Sequence, residues 1–574
     1  MTRPDGATWV VLGRADAVVI AVDLDAQGRE LDRTTLTARS VGPWIAEREA
    51  QAAPRWVWSD TPRWYDAVLA RGDVVARCHD LRLCHAILRD SVLVPPSADV
   101  RAPSPWDSAA VAPDERPALF EVDDADAAPP LPDAIDPVLA EFARQREAIS
   151  SSSDPARLRL LTAAESAGAL IAAEMRAAGL PWDEAEHDRI LTGILGARPA
   201  TGGVPEKMDA AARRVRDALG DPTASLDSQP KLLRALHRVG VLVESTSRWE
   251  LAEQTHPVIA PLLEYKKLSR LLSANGWSWL AEWVSEGRFR PVYVPGGVVT
   301  GRWASSGGGA LQLPRQLRAA VRPDPGWRLV VADVAQLEPR VLAGMARDEA
   351  LARAAFGTDL YVGIVDSGAV ATRAEAKMAI LGAMYGATTG DSGRLVPRLR
   401  RAFPRAMSLV DEAARTGEDG GIVSTWLGRT SPPPSPEWAE VQARATHADI
   451  APGEESRAKR WARDRGRFTR NFIVQGSAAE WALSWLADVR LRLAAMPAVT
   501  ADASAPRSGP AFARRPHLAF FLHDEIIIHT PAELADEVAD SVRAAADAAG
   551  RLMFGGFPID FPLDLRIADS ALKD

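Results

Sequence analysis

Two apolar, strand-like runs some 190 positions apart constrain this chain more than anything else in it: VVADVAQLEPR, carrying Asp333, and FFLHDEIIIHTP, carrying Asp524. A carboxylate inside a run of Val, Ile and Phe is costly to bury without compensation. Two such runs are therefore expected to meet and to share a compensating partner. A divalent cation is the first candidate, and with it Mg²⁺-assisted phosphoryl chemistry.

The remaining bulk properties set bounds. A chain of 574 residues exceeds a single hydrophobic core and should divide into several domains. Its 47% apolar and 25% charged residues are those of an ordinary globular protein. Two cysteines, Cys78 and Cys84, suit a reducing cytosol without a disulfide framework. No segment approaches the ~20 apolar residues of a membrane span, and the amino terminus lacks a signal-peptide pattern. A cytoplasmic monomer with no membrane contact is expected.

The formal net charge of −8 does not exclude a nucleic-acid partner, because the basic side chains cluster. SRAKRWARDRGRFTR carries Arg457, Lys459, Arg460, Arg463, Arg465, Arg467 and Arg470 against one acid, Asp464. GRLVPRLRRAFPR adds Arg394, Arg398, Arg400, Arg401 and Arg405 with none. A solvated helix face normally mixes signs, so phosphate contact is the favoured reading of both.

Along the chain, residues 1–95 alternate strand-like runs (TWVVLG, AVVIAVDLD, DVVARC) with helical patterns, as a small α/β domain does. A Pro- and Asp-rich, aperiodic linker follows. Residues 154–287 read as almost wholly helical, 296–331 as extended and turn-rich, 339–415 as helical, and 430–456 as a loop insertion. A second polar insertion, TADASAPRSGPAFARRP, precedes the strand with Asp524.

Local context sharpens the motifs. Asp333 ends a buried strand just before a helix whose first turn tolerates Pro339. It can face a cleft, although Asp333 and Glu338 could equally cap that helix. In TRAEAKMAILGAMYG, Arg373, Lys377, Leu381 and Tyr385 recur every fourth residue and form one helical ridge, two cations followed by an apolar and an aromatic side chain. That order matches a triphosphate followed by a base. Arg467, Asn471 and Gln475 make a second ridge suited to groove edges or sugars, unless it is simply solvated.

In this order the motifs resemble DNA polymerase family A. The resemblance runs from about Gly179 to the carboxyl end: LDSQPKLLRALHRVGV and HPVIAPLLEYKKLSRLLSANG as a thumb, TGRWASS with Thr300, Gly301 and Arg302, LQLPR, motif A around Asp333, motif B on the Arg373–Tyr385 helix, VSTWLGR, the Arg467–Gln475 ridge, and motif C as His523, Asp524 and Glu525. It implies an α/β multidomain protein with a right-hand polymerase, its palm an antiparallel sheet and its fingers and thumb helical, preceded by an RNase H-like exonuclease-type domain. The implied bounds are 1–150 for the exonuclease-like domain and linker, 151–294 for the thumb, 295–345 and 465–574 for the palm, and 346–464 for the fingers.

The implied activity is template-directed addition of dNTPs to a primer 3′-hydroxyl on primer-template DNA. Asp333 and Asp524 would hold two Mg²⁺ ions, with Mn²⁺ able to substitute, and Glu525 would support them. Arg373 and Lys377 would clamp the triphosphate, and Lys377 would also protonate the pyrophosphate. Gln336, Glu338, Leu381 and Tyr385 would complete the nucleotide pocket, Glu338 as a steric gate against a 2′-hydroxyl. Arg302, Arg467, Asn471, Gln475 and His523 would contact the primer-template.

Departures carry expectations too. Leu381 stands where the family presents an aromatic, which should lower nucleotide affinity. Val334 and Ala335 follow Asp333 in place of Tyr and Ser, with little loss expected. Phe521 replaces a common Gln, removing one groove contact. In the amino-terminal domain, which resembles the family's 3′–5′ exonuclease, Asp23 and Asp25 would be two of four carboxylates, while Cys84 occupies a third position and Ser166 of TAAES the fourth, unless that segment is the first thumb helix, so a structural remnant without proofreading is expected. No 5′-nuclease domain is expected ahead of it. The alternatives are a catalytically weak primer-template binding factor, opposed by retention of Asp333, Asp524, Arg373 and Lys377, and a single-subunit RNA polymerase, opposed by Glu338.

Overall fold

The computed structural model describes residues 7–107, 131–200, 202–386, 390–445 and 452–572. Most of the expected Pro- and Asp-rich linker, residues 108–130, lies outside them. The chain forms two units: one of Met1–Gly179, Val292–Gly307 and Pro325–Ala568, the other of Leu180–Pro291, Gly308–Asp324 and Asp569–Asp574.

The first unit begins with β1 (Trp9–Ala15), β2 (Val18–Leu24), β3 (Glu30–Thr37), α1 (Val41–Ala52), β4 (Arg55–Trp58), α2 (Thr61–Leu69), β5 (Arg77–Asp80), α3 (Leu81–Asp90), α4 (Ile135–Ser150) and α5 (Pro155–Ala178). The strands form one sheet in the order β3-β2-β1-β4-β5, antiparallel through β3-β2-β1 and parallel through β1-β4-β5. Both faces are covered: Val10 and Leu12 enter one apolar cluster with Trp56 and Trp58, and Val11 enters another with Phe142 and Trp106. This explains why β1 and β2 are continuous apolar runs. DVVARC, expected as a strand, pairs only from Arg77 onward.

The second unit holds β6 (Leu180–Pro181), α6 (Glu184–Leu195), α7 (Glu206–Leu219), α8 (Gln229–Arg238), α9 (Arg248–Ala252), α10 (Ile259–Asn275), α11 (Trp277–Trp283), β7 (Val284–Ser285) and β8 (Arg288–Phe289). Its centre is aromatic, with Trp182, His187, Trp279 and Phe289 in mutual ring contact. The helical stretch expected from residue 151 thus starts inside the first unit, where α5 packs on α3 and β5.

The chain re-enters the first unit with β9 (Val292–Val294), β10 (Ala304–Gly307), β11 (Trp327–Val334), α12 (Leu337–Ala346), α13 (Glu349–Ala355), α14 (Leu360–Asp366), α15 (Arg373–Tyr385), α16 (Gly390–Ala402), α17 (Pro404–Glu418), α18 (Pro436–Arg444), α19 (Pro452–Ala495), α20 (Gly509–Phe512), β12 (His517–Leu522), β13 (Glu525–Pro531), α21 (Ala535–Phe554) and β14 (Leu563–Ala568). A four-stranded antiparallel sheet, β12-β13-β11-β14, lies against α21, and α19 packs on α17, α21 and α5. The 430–456 segment is not all loop. Ser435 caps α18, and Trp438 donates to the Trp461 carbonyl, 3.3 Å away, on α19. Among the described residues no helix is long and apolar enough to cross a membrane.

Candidate active site

The sheet brings the two acid-bearing runs together. β11 pairs with β13 in a register that sets Asp333 opposite Glu525, and with β14 in one that sets it opposite Asp564. Between β12 and β13, His523 and Asp524 form a two-residue turn, tight enough that His523 adopts the left-handed region at φ +59. The Val334 N–H then donates to the Asp524 carbonyl at 2.9 Å, locking the two motifs side by side. Burial, and next the charge of Asp333, push the Asp524 carboxyl up to about 7. Capping is not the role of Asp333 or Glu338: the helix α12 begins after Gln336, which sits at φ +51, and makes no side-chain cap hydrogen bond. Two non-glycine residues in strained backbone beside the carboxylate pair fit a functional site.

A second cluster surrounds Glu338. Its carboxylate pairs with Arg302 through one oxygen and accepts from the Tyr385 hydroxyl through the other. Burial and then the Arg302 charge push His523 below its usual range, with Glu338 opposing. Arg302 is placed by its neighbour: Gly301 has φ +85, and a Cβ there would lie 2.5 Å from Arg429 Nε. Only glycine suits that position. Arg429 is held by the buried Glu165 at 2.7 Å, and its loop by Glu480, which accepts from the Leu427 N–H at 2.9 Å and from the Thr425 hydroxyl.

A third group lies along α14 and α15. Thr372 and Glu375 form a capping box that starts α15, from which Arg373, Lys377, Leu381 and Tyr385 project as one ridge. Arg373 donates to Asp359 at 2.7 Å, and Gln336 reaches the same carboxyl oxygen at 3.3 Å. Burial works against it, but Arg373 and the α14 backbone hold the Asp359 carboxyl below the usual range. Lys377 is exposed, and Leu381 packs on the apolar cluster beneath the ridge. The buried Arg340 organises the turn after Asp333, donating to Ala335, Ala355 and Thr358 carbonyls and to Asp560 at 2.6 Å.

On α19, Arg467, Asn471 and Gln475 share a face, and Gly386, which ends α15 at φ +74, leaves room for the Arg467 stem. Arg467 pairs with Asp464. Several arginines of the two basic runs are engaged within the protein. Arg470 is buried on the Ala383 carbonyl and Asp411, and Arg465 donates to the Pro432 carbonyl at 2.6 Å. Arg400 pairs with Asp411, and Arg405 donates to the Arg347 carbonyl at 3.0 Å. Arg470 is buried and takes its acceptors inside the protein, as a buried guanidinium must, whereas Arg400 and Arg405 make their contacts at the surface.

The expected four-residue exonuclease constellation does not assemble. Cys84 does meet Ser166, at 3.4 Å. Asp23, however, lies on β2, three strands from β5 and so about 14 Å away at normal strand spacing, and is ion-paired with the buried Arg48. Asp25 closes the β2–β3 turn through Arg29. The carboxylate beside Ser166 is instead Asp80, whose N–H donates to the Ser166 hydroxyl at 3.1 Å while its side chain caps α3.

Asp359, Arg340 and Asp564 were not singled out by sequence. Asp359 carried one readable signal, an N-cap aspartate ahead of α14. Arg340 and Asp564 owe their places to partners far away in the chain.

The adjacent carboxylates of Asp333 and Asp524, the latter raised by burial and then by the former, suit a divalent cation. Among the described residues no group of three or more His, Cys, Asp or Glu forms a metal site, so water and phosphate would have to complete the shell, as Mg²⁺ prefers.

The family model of DNA polymerase family A matches residues 237–568. The chain is 29% identical to DNA polymerase I of Chloroflexus aurantiacus over 327 residues, 52% of this chain and 30% of that one. It is 25% identical to the thermostable DNA polymerase I of Thermus aquaticus over 441 residues, 68% and 48% of the two. It thus spans less than half the length of these curated relatives. Among solved structures, the POL domain of Pol1 from M. smegmatis, in complex with DNA primer-template and dNTP, superposes with a TM-score of 0.65 at 18% identity, over 99% of this chain and 96% of that one. Since the family model covers more than half of the sequence, the chain belongs to DNA polymerase family A.

Proposed function

We propose that this chain is a DNA-directed DNA polymerase, extending a primer 3′-hydroxyl with deoxynucleotides on a DNA template. The observation that carries the reading is the meeting of Asp333 and Asp524 at one end of the sheet, with the Asp524 carboxyl raised by burial and then by its neighbour. Those two carboxylates would hold two Mg²⁺ ions, or Mn²⁺, beside Glu525. What the metal supplies there is a more acidic 3′-hydroxyl and neutralised phosphate charge. The exposed Arg373 and Lys377 bind the triphosphate, and Lys377 Nζ gives a proton to the departing pyrophosphate. Gln336, Leu381 and Tyr385 line the nucleotide pocket. Glu338, fixed by Arg302 and the Tyr385 hydroxyl, occupies the space a ribose 2′-hydroxyl would need. Arg302, Arg467, Asn471, Gln475 and His523 face the primer-template.

On this reading residues 1–150 are a remnant of a 3′–5′ exonuclease, followed by the thumb to 294, palm at 295–345 and 465–574, and fingers at 346–464. The buried Asp23–Arg48 pair and the loss of acids at Cys84 and Ser166 support the remnant.

Primer extension with Mg²⁺ or Mn²⁺, run beside a labelled 3′-end degradation assay, tests both halves. Asp333→Ala or Asp524→Ala should each lower extension at least about a hundredfold. Unchanged extension in either variant sinks the polymerase reading, and degradation that depends on Asp23 sinks the remnant.

A further inference from the structure

A groove of about 410 Å³ in the first unit is lined by β4, β5, α5, α19 and α21. That volume is in the range of ligand sites. Its floor is made of small side chains, among them Ala167 of α5, Ala487 of α19 and Ala548 of α21, and its lip carries Leu491 and Leu552, 45% and 58% exposed. These two leucines leave apolar surface in water at the edge of the groove.

The mouth is cationic by construction. Arg55 and Arg77 stand opposite each other in the β4–β5 register, an arrangement of like charges that costs stability unless an anion relieves it. Arg55 lies over the Trp9 ring and donates to the Cys78 carbonyl at 3.2 Å, and Arg77 donates to the Ala53 carbonyl at 2.9 Å. Among the described residues neither meets a carboxylate. Burial, and then Arg77, push the Arg55 guanidinium below its usual range. The lining holds one acid, Asp488, already paired with Arg492 at 3.0 Å.

We propose that this groove docks an acidic segment of a partner protein that carries an aliphatic or aromatic anchor residue, the anchor on the alanine floor and the flanking carboxylates at Arg55 and Arg77. Two interhelical steps of 8–10 Å, α5 to α19 to α21, span about 16–20 Å, which five or six extended residues cross. From Gln475 to Leu491 is about 24 Å along α19, so the apolar lip stands well away from the Gln475 end of that helix.

The test uses the full chain and a fluorescein-labelled twelve-residue probe, Leu-Phe flanked by Glu and Asp, in an anisotropy titration. Two control probes replace the acids by Lys and the Leu-Phe by Ser. Saturable binding below about 1 mM is expected. It should weaken at least tenfold with either control probe, and in Arg77→Glu and in Leu552→Asp, with the thermal midpoint and primer extension unchanged in both variants. No saturation, equal binding of acidic and basic probes, indifference to the Leu-Phe anchor, or variants that bind as tightly as the parent would overturn the proposal.

Discussion

Replacing Asp524 by Asn should strengthen the metal-free fold while removing activity. The Asp524 carboxyl is raised from an ordinary aspartate value to about 7, first by burial and then by Asp333. That is about three pH units, or ~4 kcal/mol at 1.36 kcal/mol per unit. The side chain keeps some solvent contact, which brings the figure to roughly 2–3 kcal/mol. The sign follows from linkage. A group whose folded pKa is raised binds its proton more tightly when folded, so its contribution is fully present below about pH 4 and is lost as pH climbs through 7. Asn cannot ionise and escapes the loss. In EDTA at pH 8 the variant should therefore be the more stable by that amount in a urea titration. At pH 4 the two should coincide, and millimolar Mg²⁺ should restore the parent but not the variant. Equal stabilities at pH 8, or a gain that persists unchanged at pH 4, would show that the Asp524 carboxyl is not raised by its surroundings and would remove the main support for a shared metal site.

Three further outcomes are expected. Arg340→Met leaves the Asp560 carboxylate with only the Gly357 N–H and strands several carbonyls around the motif A turn, and should cost about 3–5 kcal/mol in denaturant unfolding, against less than 1 for exposed Arg353→Met. Asp359→Asn keeps the α14 cap but removes the anion that a triphosphate must displace from Arg373; since that ion pair is exposed, KM for dNTP should fall only about two- to fivefold with kcat unchanged, and a rise in KM would instead make Asp359 a support for the arginine. Glu338→Ala opens the pocket beneath the sugar and should cut the dNTP-to-rNTP incorporation ratio at least about tenfold, and an unchanged ratio would end the gate assignment.

What the sequence disclosed follows from how local each feature is. The ridge on α15 is set by helical periodicity and a capping box within one segment, so it could be read directly. The meeting of Asp333 and Asp524 is long-range, yet an acid in an apolar strand is conspicuous because its burial needs explaining. Arg340 gave no such sign: its partners Asp560, Thr358 and Ala355 are chosen by tertiary packing, and nothing near it in the chain names them. The expected meeting of Asp23 and Asp25 with Cys84 and Ser166 failed for a related reason. VDLD was read as a ligand pair, but the sheet order that separates β2 from β5 is topology, which a local motif cannot report.

The basic run on α19 shows where a finer reading was available. Arg467 lies four residues before Asn471 and eight before Gln475, on the polar ridge. Arg470 lies three and four before Ile473 and Val474, which are buried in the apolar cluster against α15 and α17. Side chains at those spacings share a face, so Arg470 had to enter the core edge and find acceptors there, as it does at Ala383 and Asp411. Counting positive charges treated the two arginines alike. Helical phase separates them, assigning Arg467 to the exposed ridge and Arg470 to the joint between α15, α17 and α19. Charge density alone therefore overstates a nucleic-acid surface wherever a basic run is also a long amphipathic helix.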